Sequence, residues 1–174
     1  MGLRVGELSG LEWKDIDFDN HTMFIQRSTC FLPKYGECTN SPKTKNSKRK
    51  LNIPDHLYDM LVEYKKEYDF EKAKLGDAWN DRDRIICRWN GLPTDTGTFS
   101  NWLTEILVKN GIRKVTPHSL RHTCITTLLR KQIAPQIVSK WAGHSSTSVT
   151  LNTYAHFLPE DKNVCADTIN CAFI

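Results

Sequence analysis

The chain has 174 residues, 39% hydrophobic, 25% charged and 10% aromatic, a balance that excludes wholesale disorder and predicts one domain-sized core. No stretch reaches the roughly 18 apolar residues of a membrane helix, and the charged first twenty residues do not read as a signal peptide, so the expected location is cytoplasmic. The net charge of +4 is focused: residues 27–50 hold Arg27, Lys34, Lys43, Lys45, Lys48, Arg49 and Lys50 against Glu37 alone, a patch suited to a polyanion.

Along the chain, Val5, Leu8 and Leu11 fall on one side of a short helix ending near Trp13. Residues 21–28 alternate loosely around the β-prone Thr22, Phe24 and Ile25, and residues 48–53 predict a second strand stopped by Pro54. The two form a hairpin whose long connection, with Pro33, Gly36 and Pro42, carries the basic patch. From Asp55, the spacing of Leu57, Leu61, Tyr64 and Tyr68 predicts a helix up to Gly76. Residues 84–87 are a short strand candidate, and residues 98–110 a helix closed by Gly111. Thr116-Pro117 opens a helix through about Lys131 with Leu120, Cys124 and Leu128 as its inner stripe. Pro135 opens a short helix that Gly143 ends, and a last helix from about Ser146 carries Val149 and Tyr154. The fold class is therefore α+β, mainly α-helical with a small antiparallel β-sheet.

Four features can carry chemistry. His118 and Arg121 are three apart in the first turn of the Pro117 helix, adding positive charge to the positive end of its dipole. A phosphate would offset that repulsion through the Arg fork and the unpaired N–H groups of the helix start, as would ordinary pairing with carboxylates. His118 and His122 have the spacing of a zinc pair, but Arg121 repels a dication and no third ligand is placed, so no metal is expected. Gly143-His144-Ser145-Ser146 is followed by Tyr154, ten residues after the histidine. A phenol, with its pKa of about 10, becomes a nucleophile only beside positive charge or a base. Arg4 and Glu7, three apart, form either a surface ion pair or an arginine held so that its other donors face a ligand. Cysteines at 30, 38, 87, 124, 165 and 171 have no repeated spacing and read as reduced thiols.

The order of these features is more specific than any one of them. G-L-R-x-G-E-L-x-x-L-x-W-x-D-I, a Lys-Thr-Lys hairpin, H-x-L-R-H-T, then G-H-S-S with Tyr154-Ala155-His156 resembles the tyrosine recombinase, or phage integrase, family from residue 2 to about 157. The final box is similar to integrases of phages and conjugative transposons. The resemblance implies a catalytic domain over residues 1–158, without the family's preceding helices and DNA-core-binding domain, and a tail over 159–174.

The resemblance also implies phosphoryl transfer on double-stranded DNA. Tyr154 would attack a phosphodiester to give a 3′-phosphotyrosine and a 5′-hydroxyl. Arg4 and Arg121 would clamp the non-bridging oxygens, His144 would hydrogen-bond the phosphate and Glu7 would orient Arg4. His118 and a lysine would handle protons; Lys43 is the first choice because Lys43-Thr44 matches the family's Lys-Thr pair, with Lys45 second. Lys45, Lys48 and Arg49 are expected to contact DNA. No cofactor, metal, membrane or small-molecule substrate is implied, and the chain would be bacterial or phage-encoded. The tail after Pro159, with Val164, Ile169 and Phe173, is expected to support self-association on DNA.

A type IB topoisomerase would share these residues. The reading from another class is a non-enzymatic DNA-binding module, or an inactive truncated integrase, with residues 135–154 as a helix-turn-helix. A reader helix wants Arg, Asn or Gln at its start, where Ser145, Ser146, Thr147 and Ser148 stand instead.

Overall fold

The structure, a computed structural model, describes residues 1–32, 34, 36–40 and 48–154. Lys43, Lys45 and the tail from residue 155 lie outside the described residues. Helix α1 (Val5–Ser9) starts where the Glu7 carboxylate turns back to accept the Arg4 backbone N–H at 3.0 Å. It is shorter than the apolar spacing predicts. Gly10 caps it, and a 3₁₀ turn over Trp13–Asp15 takes Leu11 and Trp13 into the core.

Strands β1 (Ile16–Asp17), β2 (Thr22–Ile25) and β5 (Arg49–Asn52) form an antiparallel sheet in the order β1-β2-β5. Thr22 faces Asn52 and Ile25 faces Arg49, so the hairpin expected from the sequence is present. Its connection holds a second hairpin that the sequence reading passed over as polar loop: β3 (Ser28–Leu32) and β4 (Gly36–Asn40). β4 lacks apolar alternation because polar contacts hold it. The Thr29 and Thr39 hydroxyls bond across the pair at 2.9 Å, and buried Arg84 donates to Glu37 and to the Thr39 hydroxyl. The strand expected at 84–87 reduces to two single bridges, Glu12 with Arg84 and Cys87 with Pro93, since Arg84 is occupied in this clasp. The four cysteines among the described residues are unpaired thiols.

Helix α2 (Asp55–Leu75) lays the predicted stripe of Leu57, Leu61, Tyr64 and Tyr68 on the sheet. Trp13 sits at the centre of that contact, with Tyr68 edge-on at 5.3 Å between ring centroids. Helix α3 (Thr96–Lys109) is capped by the Asp95 carboxylate. The Thr116 hydroxyl caps α4 (Pro117–Arg130) through the Ser119 N–H. α5 (Pro135–Ala142) and α6 (Thr147–Tyr154) follow.

α4, α5 and α6 share a second core of Ile125, Leu129, Val138, Ala142 and Tyr154. This corrects the predicted stripe of α4. α5 and α6 pack on the side carrying Arg121, Ile125 and Leu129, whereas Leu120 is 49% exposed and Cys124 and Leu128 are half-buried. Apolar residues stand on two sides of α4, and spacing alone does not say which side is covered. Ile125→Ala should therefore cost about 2–5 kcal/mol of unfolding free energy in urea titration, while Leu120→Ala changes it by less than about 0.5 kcal/mol. Similar losses from both would put the inner stripe back on Leu120.

Candidate active site

Three guanidinium groups meet at the C-terminal end of α5. Arg49 Nε donates to the Trp141 carbonyl at 2.7 Å, Arg121 Nη2 to Ala142 at 2.7 Å and Arg4 Nη2 to Gly143 at 2.9 Å. The last carbonyls of a helix lack partners within it, and the negative end of the dipole favours cations there. Gly143 makes this approach possible. It closes α5 at φ +66°, and a Cβ on it would stand 2.4 Å from Arg49 Nη1.

Glu7 balances part of this charge. Its Oε1 accepts from Arg4 Nη1 at 2.9 Å and Arg49 Nη1 at 3.0 Å, and its Oε2 accepts from the Arg4 N–H and Arg49 Nη2, both at 3.0 Å. Burial alone would raise this carboxyl, but the hydrogen bond and charge of Arg49, followed by Arg4, hold it below its ordinary 4.5. Arg121 also donates to the Gly2 carbonyl at 2.6 Å. Burial pulls the Arg121 guanidinium down to about 10, with Arg4 and Arg49 adding to the fall and Glu7 opposing it. It stays charged at neutral pH, in a place where a further anion would relieve it. A guanidinium has five N–H donors, so the carbonyl and carboxylate bonds leave Arg4 and Arg121 capacity for an oxyanion.

His144 follows directly, buried, with Nδ1 2.7 Å from the Thr150 hydroxyl. Burial, then the charges of Arg121, Arg4 and Arg49, push its pKa down to about 4. It is a neutral imidazole at physiological pH, with Nδ1 paired to the Thr150 hydroxyl and one ring N–H to donate. Tyr154 is buried in the second core, and its hydroxyl lies 2.5 Å from His122 Nδ1. Burial raises the phenol above 10, with the Arg121 charge opposing.

The structure thus gathers Arg4, Glu7, Arg121 and His144 at the end of α5, with Tyr154 at the far end of α6 against α4. His118 is exposed and bonds to His122 through Nε2 atoms 2.8 Å apart. Lys48 is exposed just before β5. Arg49 corrects the sequence reading: it is a buried partner of Glu7 rather than a DNA-facing cation, because β5 turns Arg49 and Leu51 inward and Lys50 and Asn52 outward. Arg27 of the same basic patch is paired with Asp15 and Glu12. His122, weighed in the sequence only as a zinc partner, is the site residue that reading missed; its signal was the four-residue spacing from His118. No cluster of three metal-ligating side chains occurs among the described residues, and no helix there is long and apolar enough to cross a membrane.

The model of the phage integrase family matches residues 1–161. The chain belongs to that family. A tyrosine recombinase XerC-like protein of Caldanaerobacter subterraneus subsp. tengcongensis is 34% identical over 99% of this chain and 47% of its own length. The ICEBs1 integrase of Bacillus subtilis is 27% identical over 97% of this chain and 45% of its own. The Tn1549 transposon integrase, solved in complex with a circular intermediate DNA, superposes with a TM-score of 0.78 at 20% identity, covering 98% of this chain and 55% of that one. XerA recombinase superposes at 0.65 and 22% identity, over 99% and 54%. The fold is that of tyrosine recombinase catalytic domains, and the chain spans about half the length of the integrases and recombinases it matches.

Two stability predictions follow from the Glu7–arginine network and His144. Glu7→Ala leaves buried Arg49 facing Arg4 and Arg121 without a carboxylate and should cost about 3 kcal/mol or more in urea unfolding, against less than about 1 for half-exposed Arg4→Ala. Equal costs would remove Glu7 from its central position. His144 takes up its proton near pH 4 in the native state but near 6.5 unfolded, so the unfolded chain gains protons first as pH falls. Stability should fall from pH 6.5 to 4, and His144→Asn should flatten that slope; a slope unchanged in the variant would refute the buried neutral imidazole.

Proposed function

We propose that this chain is the catalytic domain of a site-specific DNA recombinase that cuts and rejoins double-stranded DNA through a phosphotyrosine. One observation carries the reading: Arg4, Arg121 and His144, from three distant parts of the sequence, converge at the end of α5, and Tyr154 stands one short helix away. Two guanidiniums and a neutral N–H donor match the non-bridging oxygens of a phosphodiester, whose charge grows as a fifth oxygen approaches. Tyr154 is the nucleophile, and its phosphodiester keeps the bond energy for the return attack by a 5′-hydroxyl. Glu7 fixes Arg4 on one side while Gly143 fixes it on the other.

The paired cations supply the charge that a metal supplies in other phosphoryl transfers, so the reaction is metal-independent and needs no cofactor. A lysine beyond β4, Lys43 first and Lys45 second, would protonate the leaving 5′-oxygen, and Lys45 and Lys48 would contact the backbone. The tail over residues 159–174 would mediate self-association on DNA. A polypeptide of this span binds DNA weakly and cleaves slowly by itself, since it corresponds to about half the length of the integrases it matches.

The test is covalent trapping: protein with nicked duplex and supercoiled plasmid in EDTA, quenched in SDS. A protein–DNA adduct that disappears in Tyr154→Phe is expected, and an adduct that persists in it refutes the assignment. Salt-sensitive binding without adducts, even with the relatives' remaining domains fused, would support the binding-module reading instead. Deleting residues 160–174 should reduce self-association, measured by sedimentation on DNA, several-fold more than single-strand cleavage; equal losses would count against the tail's role.

A further inference from the structure

The nucleophile's proton has no place in the chemistry described so far. Tyr154 is 4% exposed, and burial opposes its ionisation. We propose that His122 accepts the Tyr154 phenolic proton and relays charge to His118, so that the two imidazoles of α4 generate the nucleophile. The proposal rests on the recombinase reading of Tyr154.

The geometry is a continuous line of polar atoms. Tyr154 Oη is 2.5 Å from His122 Nδ1, and His122 Nε2 is 2.8 Å from His118 Nε2. Positions 118 and 122 are four apart on α4, which sets one ring above the other, with centroids 4.4 Å apart. The line runs outward from buried Tyr154 through half-buried His122 to exposed His118, where a proton can leave for solvent. Burial, then His118 and Arg121, lower the His122 pKa below 6.5, so the ring is neutral and its acceptor nitrogen unprotonated at physiological pH. Facing it are His118 and Arg121 of α4 and Tyr154 of α6, with His144 in the turn before α6, and Arg130 lies along the cleft it shares with Tyr154.

The step balances. As the Tyr154 Oη–P bond forms and the P–O5′ bond breaks, the phenolic proton moves to His122 Nδ1. The proton on His122 Nε2 moves to His118 Nε2, leaving an exposed His118 imidazolium that releases a proton to solvent. The 5′-oxygen takes its proton from an ammonium side chain or from solvent. His118, expected from the sequence to handle protons, does so here through His122.

His122→Asn tests the relay, because an amide oxygen can stand where Nδ1 stands but cannot take the proton. Single-turnover adduct formation at neutral pH should slow by about 10²-fold or more, with DNA binding unchanged and the defect shrinking as pH approaches the phenol range. The defect should persist on a duplex with sulfur in place of the bridging 5′-oxygen, a leaving group that needs no acid. A wild-type rate, or rescue by the 5′-sulfur, would overturn the proposal. A second measurement needs no turnover: in ¹⁵N-histidine NMR of this chain, Tyr154→Phe should shift both His122 Nδ1 and His118 Nε2, and unmoved resonances would overturn the relay. Adducts that persist in Tyr154→Phe would overturn the recombinase reading instead.

Discussion

The end of α5 is where the molecule is tied together. Three successive carbonyls, of Trp141, Ala142 and Gly143, accept from arginines at the chain start, on β5 and on α4. Each arginine satisfies a carbonyl that the helix itself cannot, so the contact would hold even without a ligand. Among the described residues, the cost is three cations in one small volume against the carboxylate of Glu7. Glu7 takes four hydrogen bonds and still leaves an excess of positive charge. That excess is what an oxyanion recognises, so the network that closes the fold is the one that prepares the site.

Its electrostatic effects reach Glu7, Arg121, His122, His144 and Tyr154. The buried, cation-lined setting keeps His144 neutral and lowers Arg121, yet leaves Arg121 charged. The donors differ accordingly: the guanidiniums bring charge to the end of α5, and neutral His144 brings a polar ring without a fourth cation. Arg49 is bound to Glu7 and to the Trp141 carbonyl. By meeting Glu7 bidentately it keeps the carboxylate ionised, and so holds Arg4 in place.

Much of this was legible in the sequence, and the remainder failed for definable reasons. The order of the motifs identified Arg4, Glu7, Arg121, His144 and Tyr154, and the β2–β5 hairpin and α2 stripe followed from period-2 and period-3.6 spacing. That the side chains converge did not, because convergence depends on carbonyls, which have no sequence signature. Arg49 was misread because it stands in a run of basic residues. Its phase was the better guide, since it alternates with Lys50 and shares a face with Leu51. The same phase argument locates Arg121, four and eight residues before buried Ile125 and Leu129. A charged residue in register with an apolar stripe is a residue with a buried partner.

Tyr154 carries that argument to its limit. It is at once a core side chain, packed with Ile125, Leu129, Val138 and Ala142, and the group expected to react. Packing restricts where the phenol can stand, and thereby lowers the entropic cost of any reaction it enters. The same packing removes the water that would solvate a phenolate. A nucleophile held this way needs a cation to stabilise its charge and an acceptor to take its proton. α4 places a candidate for each on neighbouring residues: Arg121 on the buried stripe, whose charge acts on Tyr154, and His122 on the half-buried edge, hydrogen-bonded to the phenol.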